Sequence, residues 1–259
     1  MSAVLSHDHA RASGGRFLLR IEDIDPGRAR EEFIAGIEED LRWLGLAWDG
    51  LALRQSERLP LYSEALDRLR AAGLVYPCFC TRADIARSAS APHGPEGPHY
   101  RGTCRDLVSP DFDRPHAWRL DVAKALVRTG PLSWCDHDRE IAALPDLLGD
   151  VVLARKDAPV SYHLAVTVDD AAQGITDVIR GQDLFASTHV HRLLQALLDL
   201  PTPHYRHHRL LIDPDGQRLA KRHGALSLAD LRAQGVKPED IVAAFRAGAA
   251  PLGFRLSDD

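Results

Sequence analysis

The chain has 259 residues, 45% of them hydrophobic and 27% charged, a balance that suits one large or two modest domains with a real core. A net charge of −5 does not favour binding nucleic acid by overall charge, so any such binding needs a local basic patch. No apolar run approaches the ~20 residues that cross a bilayer, and Met1–Asp8 has neither the basic flank nor the apolar core of a secretory signal; a cytoplasmic protein is expected.

In chain order, Gly14-Gly15 leads into Arg16–Glu22, a short apolar run with basic interruptions that reads as a buried strand. Asp25 then suits a helix cap with Pro26 at the first helical position. Phe33, Ile37, Leu41 and Leu44 follow at helical spacing, ending near Gly45. A second helix is expected from about Pro60 to Ala72, with Leu61, Ala65, Leu66 and Leu69 on one face. Cys78–Pro110, rich in proline and glycine between Pro92 and Gly102, reads as an insertion that needs a staple. Strands are expected at Ala117–Val122, Val151–Ala154, Tyr162–Val168 and Thr176–Ile179, then a helix at Ser187–Leu200 and a strand at Arg209–Ile212. Asp213–Gly216 is a turn by composition, and Leu228–Gln234 and Pro238–Ala247 close the chain as helices. The alternation implies an α/β fold with a mainly parallel sheet.

Four groups of residues could carry chemistry. Cys78, Cys80 and Cys104 cluster in the insertion; in a reducing compartment such thiolates read as metal ligands rather than disulfides. Three thiolates and one further donor make a closed, structural tetrahedral zinc site. His93, His99 and Tyr100 all compete for the fourth position, and three metal-free thiols are the plain alternative. Cys135 reads as a small buried apolar residue. Glu22 and Asp23 end the first strand, where open α/β sheets bind ligands, and a carboxylate there can meet an ammonium group or merely solvate the turn. Arg180, in Val178-Ile179-Arg180-Gly181, could grip a carboxylate bidentately with Tyr162 as a hydrogen-bonding partner, or pair with Asp169 or Asp170 at the surface. Last, Gly216–Gly224 brackets Lys221, one of only four lysines, in a cationic loop suited to a triphosphate or to a solvated turn.

Taken in order, Arg20-Ile21-Glu22-Asp23-Ile24-Asp25, Cys78-Phe79-Cys80, Tyr162–Asp170, Val178–Gly181 and the lysine loop resemble the glutamyl-type class I aminoacyl-tRNA synthetases, over residues 16 to 224. Within that family the chain looks most like the short group that acts on queuosine. The resemblance implies a Rossmann-type parallel sheet, a zinc-bearing insertion and a small helical C-terminal segment. It divides the chain into residues 1–77 and 116–212 for the core, 78–115 for the zinc insertion and 213–259 for the lysine loop and last helices. It implies activation of L-glutamate with ATP and Mg2+, transfer to queuosine of tRNA(Asp), and a monomer. By the same resemblance Glu22 takes the glutamate ammonium, Tyr162 and Arg180 hold the substrate, Asp183 and Lys221 serve ATP, and Lys221 is catalytic. Cys78, Cys80, Tyr100 and Cys104 become the zinc ligands, with tyrosine as the fourth donor. Ala220 stands where many members carry serine. Residues 225–259 leave room for two short helices and no anticodon-binding domain. The family's first strand and His-x-Gly-His motif would precede Met1, so a gap beside Arg16–Glu22 and weak glutamate activation are expected. The rival readings are an inactive remnant that binds tRNA or glutamate, and a fragment of a full glutamyl-tRNA synthetase.

Overall fold

The structure is a computed structural model that describes residues 1–25, 27, 29–81, 83–85, 100, 102–216, 219 and 226–258. The chain forms two compact units. The first comprises Met1–Gln55, Val178–Asp183 and Arg206–Asp259; the second comprises Ser56–Asp177 and Leu184–Tyr205.

In the first unit, helix α1 (Ser2–Ala12) is followed by strand β1 (Arg20–Ile21), helix α2 (Glu31–Trp43) and strand β2 (Leu53–Arg54). β1 and β2 pair in parallel, Arg20 opposite Leu53 and Ile21 opposite Arg54. Asp25 does not cap α2. Its Oδ1 accepts the Gly27 N–H at 3.2 Å in a local turn, and the helix starts at Glu31 after an extended Arg30. Glu31 and Glu32 in the first turn complement the positive end of the helix dipole. Phe33 and Ile37 are exposed, while Ile34 and Leu41 are buried. The inward face is thus set by the core that α2 meets, where Val4, Leu46, Ile241, Val242 and Phe245 pack around Leu41. Helices α7 (Leu228–Ala233) and α8 (Pro238–Arg246), both expected as helices, supply part of that core. Ser227 and Asp230 form a reciprocal capping box at the start of α7.

The second unit begins with helix α3 (Leu59–Ala71), which buries Tyr62, Ala65, Leu66 and Leu69 and leaves Leu61 exposed. Strands β3 (Val75–Cys78), β4 (Ala117–Leu120) and β7 (Val152–Ala154) form an antiparallel sheet in the order β3-β4-β7. Helix α4 (Val122–Thr129) is capped by Asp121, whose side chain accepts the Lys124 N–H. Strands β5 (Ser133–Asp136) and β6 (Arg139–Ala142) form a hairpin turned by His137 at φ 54°. Tyr162–Val168, expected to be a strand, is the start of helix α5 (Tyr162–Ala172). Leu164, Ala165, Val166, Thr167, Asp169 and Asp170 are all buried, so no polar face interrupts the apolar run, and a buried helix and a buried strand then look alike. Helix α6 (Phe185–Leu197) follows.

Strands β8 (Asp177–Gly181) and β9 (His204–His208) each begin in the second unit and run on into the first, with β6-β5-β9-β8 as the strand order. β9 lies before the expected Arg209–Ile212 strand, of which only β10 (Leu211–Ile212) forms, pairing antiparallel with β11 (Arg255–Leu256). The sheets are therefore mixed. Parallel pairing occurs at β1–β2 and β5–β9, whereas β3–β4, β4–β7, β5–β6 and β10–β11 run antiparallel. A two-residue hairpin connection such as His137-Asp138 forces the antiparallel sense, which the simple alternation argument overlooked. Among the described residues no helix is long and apolar enough to cross a membrane.

Candidate functional site

The second unit brings the expected metal ligands together. β3 delivers Cys78 at its end and Cys80 two residues on, while the Gly102 turn (φ 81°) returns Cys104 to them. The three Sγ atoms lie within 4.8 Å of one another. The Tyr100 hydroxyl is 3.4 Å from Cys78 Sγ and 3.8 Å from Cys80 Sγ, and Cys80 and Cys104 Sγ are 3.5 Å apart. Tetrahedral zinc, with Zn–S near ~2.3 Å and Zn–O near ~2.0 Å, sets S···S edges of about 3.8 Å and S···O edges of about 3.5 Å. The separations of 3.4, 3.8 and 3.5 Å lie close to those edges. The Cys104 N–H donates to the Tyr100 oxygen at 2.8 Å and the Cys78 thiol at 3.4 Å, and a cation bound there would take the place of the thiol proton. His93 and His99 lie outside the described residues.

Burial pushes the Tyr100 phenol up, and it pushes the Cys80 thiol up to about 11, with the Cys104 sulfur adding to the effect. Burial also opposes ionisation of Cys104, but hydrogen bonds from Tyr100 and the Phe79 N–H outweigh it and bring that thiol below its usual range. Gathering these donors as anions is work for a bound cation, which the chemistry of the set suits. Cys135 is elsewhere, half-buried on β5 rather than fully buried as expected.

The expected substrate residues are distributed over both units. Glu22 directly follows β1 and is exposed, whereas its neighbour Asp23 is buried. Arg180 on β8 is buried, and its Nε donates to His207 Nε2 on β9 at 3.3 Å. His207 was missed by sequence reasoning; its only signal was a His-His pair in a segment with little strand character. A Cβ at Gly181 would come within 2.8 Å of Leu210 Cδ2 and meet the Asp183 carboxylate, so both side chains would have to shift for a larger residue. Asp183 lies in the turn Gln182–Leu184, in the same unit as Glu22 and Arg180.

Tyr162 belongs to the second unit, at the first position of α5. Its ring stands edge-on to His163 and His191, whose Nδ1 and Nε2 are 3.2 Å apart. Asp169, proposed as one surface partner for Arg180, is instead fully buried and accepts from Arg58 Nε and the Tyr62 hydroxyl, each at 2.7 Å. Lys221 and Ala220 lie outside the described residues.

Comparison with known proteins gives these features a family. The profile of the catalytic domain of class I tRNA synthetases for glutamate and glutamine (E and Q) matches residues 1–253, and the chain belongs to that family. It is 50% identical to the glutamyl-Q tRNA(Asp) synthetase of Rhodobacter capsulatus, over 93% of this chain and 91% of that protein. It is 40% identical to the glutamate–tRNA ligase of Geobacter sulfurreducens over 90% of this chain, but spans only 50% of that ligase. The crystal structure of the glutamate–tRNA synthetase of Elizabethkingia anophelis superposes with a TM-score of 0.74 at 25% identity, covering 93% of this chain and 57% of that one.

Proposed function

We propose that this protein activates L-glutamate with ATP to glutamyl-adenylate and transfers the glutamyl group to queuosine at the wobble position of tRNA(Asp). The observation that carries the reading is the 50% identity over nearly the whole of both chains to a glutamyl-Q tRNA(Asp) synthetase. Such length agreement is absent for the glutamate–tRNA ligase, of which the chain spans half. In the activation step a glutamate carboxylate oxygen attacks the α-phosphorus of ATP and pyrophosphate leaves. In the transfer step a hydroxyl of the queuosine cyclopentenediol attacks the adenylate carbonyl and AMP leaves.

In this reading Glu22 takes the substrate ammonium, Tyr162 and Arg180 hold the substrate, and Asp183 and Lys221 serve ATP with its Mg2+. Lys221 stabilises charge on the departing pyrophosphate. The guanidinium fork of Arg180 suits the side-chain carboxylate of glutamate and offers no acceptor to the amide of glutamine. Cys78, Cys80, Tyr100 and Cys104 hold one structural Zn2+, which ties the 78–115 insertion together. The flanking core at 1–77 and 116–212 and the segment 213–259 complete the division expected from the resemblance, in a cytoplasmic monomer.

The test is ATP–pyrophosphate exchange with glutamate, glutamine and aspartate, followed by transfer of labelled glutamate to tRNA(Asp) with and without queuosine. Exchange with glutamate alone and transfer only to the queuosine-bearing tRNA is expected. Charging of tRNA(Glu) at its 3′ end, or equal exchange with glutamine, would overturn the assignment.

A further inference from the structure

The cysteine cluster rests on a buried charged network that neither the sequence motifs nor the family match assigns to it. The antiparallel register of β3 and β4 sets Cys78 opposite Ala117 and Tyr76 opposite Arg119. Residues two apart on a strand share a face, so Tyr76, Cys78 and Arg119 all point to the side that carries Tyr100. Arg119 is buried there, with its guanidinium carbon 3.9 Å from the centroid of the Tyr100 ring. Its Nη1 donates to the backbone oxygen of Asp150 at 2.5 Å, which tethers the guanidinium beside the ring.

Asp150 in turn reaches the cysteine turn. Its Oδ2 accepts from Arg105 Nη2 at 2.6 Å and Nε at 3.0 Å, and from the Tyr76 hydroxyl at 2.5 Å. Its Oδ1 accepts the Val122 N–H at 3.0 Å. Arg105 directly follows Cys104, and its guanidinium lies over Gly102, where a Cβ would meet it at 3.0 Å and where the φ of 81° favours glycine. One buried carboxylate thus anchors the residue that follows Cys104, and its own backbone oxygen anchors the arginine that faces Tyr100.

We infer that Arg119 is the positioning residue that holds Tyr100 in place as the fourth, oxygen donor of the metal centre, with Asp150 fixing both Arg119 and the Cys104 turn. This rests on the proposed zinc site. Outer partners that orient ligands commonly contribute 10- to 100-fold in metal affinity. An aromatic ring faced by a fixed cation has one seat, whereas a free phenol can swing away from a cation that three thiolates already hold.

The test is a zinc affinity measured by chelator competition on the purified full chain, in a double-mutant cycle of Arg119→Gln and Tyr100→Phe. Arg119→Gln is expected to weaken zinc binding by about 10- to 100-fold when Tyr100 is present and to have no further effect in the Tyr100→Phe chain. Arg119→Lys, which keeps charge but not the planar fork, falls between. Asp150→Asn should weaken binding in both backgrounds, because it also frees the Cys104 turn. Equal losses from Arg119→Gln in both backgrounds would mean a general structural role and overturn the inference, as would no loss at all. A wild-type chain that binds no zinc overturns the metal reading itself and this inference with it. If Arg119→Gln fails to fold by circular dichroism, Arg119→Lys takes its place in the same cycle with the same criterion.

Discussion

Two aspartates of the second unit, Asp150 and Asp169, are both almost wholly buried, and each accepts from a tyrosine hydroxyl and an arginine. Their surroundings differ. Asp169 lies within α5 and ties that helix to Arg58 and to Tyr62 of α3, a contact between elements that need no ligand to pack. Asp150 lies outside any helix, between β7 and the turn before it, and ties Tyr76 to the arginine that follows Cys104. The same donor types serve helix packing in one place and, on our reading, a metal centre in the other. In both, burial raises the tyrosine pKa and the neighbouring carboxylate adds to it, so each phenol stays protonated and donates.

The sharpest way to separate the two is to delete Asp169. Asp169→Ala leaves Arg58 beside a cavity without its carboxylate, and breaking such a buried pair costs about 3–5 kcal/mol. A urea-unfolding midpoint should fall accordingly, while zinc affinity of the folded protein stays at the wild-type value. Zinc loss under native conditions would erase the distinction drawn here.

Removing only the hydroxyls is milder. Tyr62→Phe and Tyr76→Phe each delete a hydrogen bond to a charged acceptor, worth about 1.5–3 kcal/mol. Their stabilities should be alike, but only Tyr76→Phe should speed metal release to a chelator. If both or neither do, the two networks are equivalent.

Acid perturbs the same unit without mutation. The Trp134 indole N–H donates to His189 Nδ1 at 3.1 Å, and indole can only donate, so a proton on that nitrogen breaks the contact. Burial lowers the His189 pKa below its usual 6.5. A depressed folded pKa means that the unfolded chain binds the proton first. Stability is therefore full above about 6.5 and is lost as pH falls through the folded value. In the first unit His208, lowered chiefly by burial, acts in the same direction. Melting temperatures between pH 7.5 and 5.5 should decline, and His189→Gln should flatten part of that decline. A melting temperature that rises on acidification would contradict the neutral tautomer.

The smallest effect belongs to the exposed pair Arg42–Glu38 on α2, at 2.7 Å and four residues apart. Glu38→Gln should leave the unfolding midpoint within error, since solvent screens such pairs. A drop comparable to that of Tyr62→Phe would show that burial is not what separates these contacts.

Much of the candidate metal centre was legible in the chain because cysteines are chemically rare and close in sequence there: three of the four fall between residues 78 and 104. Helix α3 was legible for a similar local reason, through its apolar spacing, and α7 and α8 were expected as helical segments too. The hairpin β5–β6 was not, because its His137-Asp138 turn lacks the usual asparagine or glycine signal. β9 was not, because His204-Tyr205-Arg206-His207-His208 has only one residue of strong strand propensity, and its place is decided by the buried Tyr205 opposite Asp136.

By itself, then, the sequence determined the family, through motifs whose order no single element carries, and singled out three clustered cysteines as candidate metal donors. Tertiary structure alone decided that Tyr162–Ala172 is a helix, that Ile34 rather than Phe33 faces the core, that Arg180 meets His207, and which arginine and tyrosine each buried aspartate receives. Arg58 and Asp169 are 111 residues apart, and Tyr76 and Asp150 are 74 apart. No local pattern encodes such pairs. They exist because a carboxylate taken out of water must find donors, and packing determines which donors are within reach.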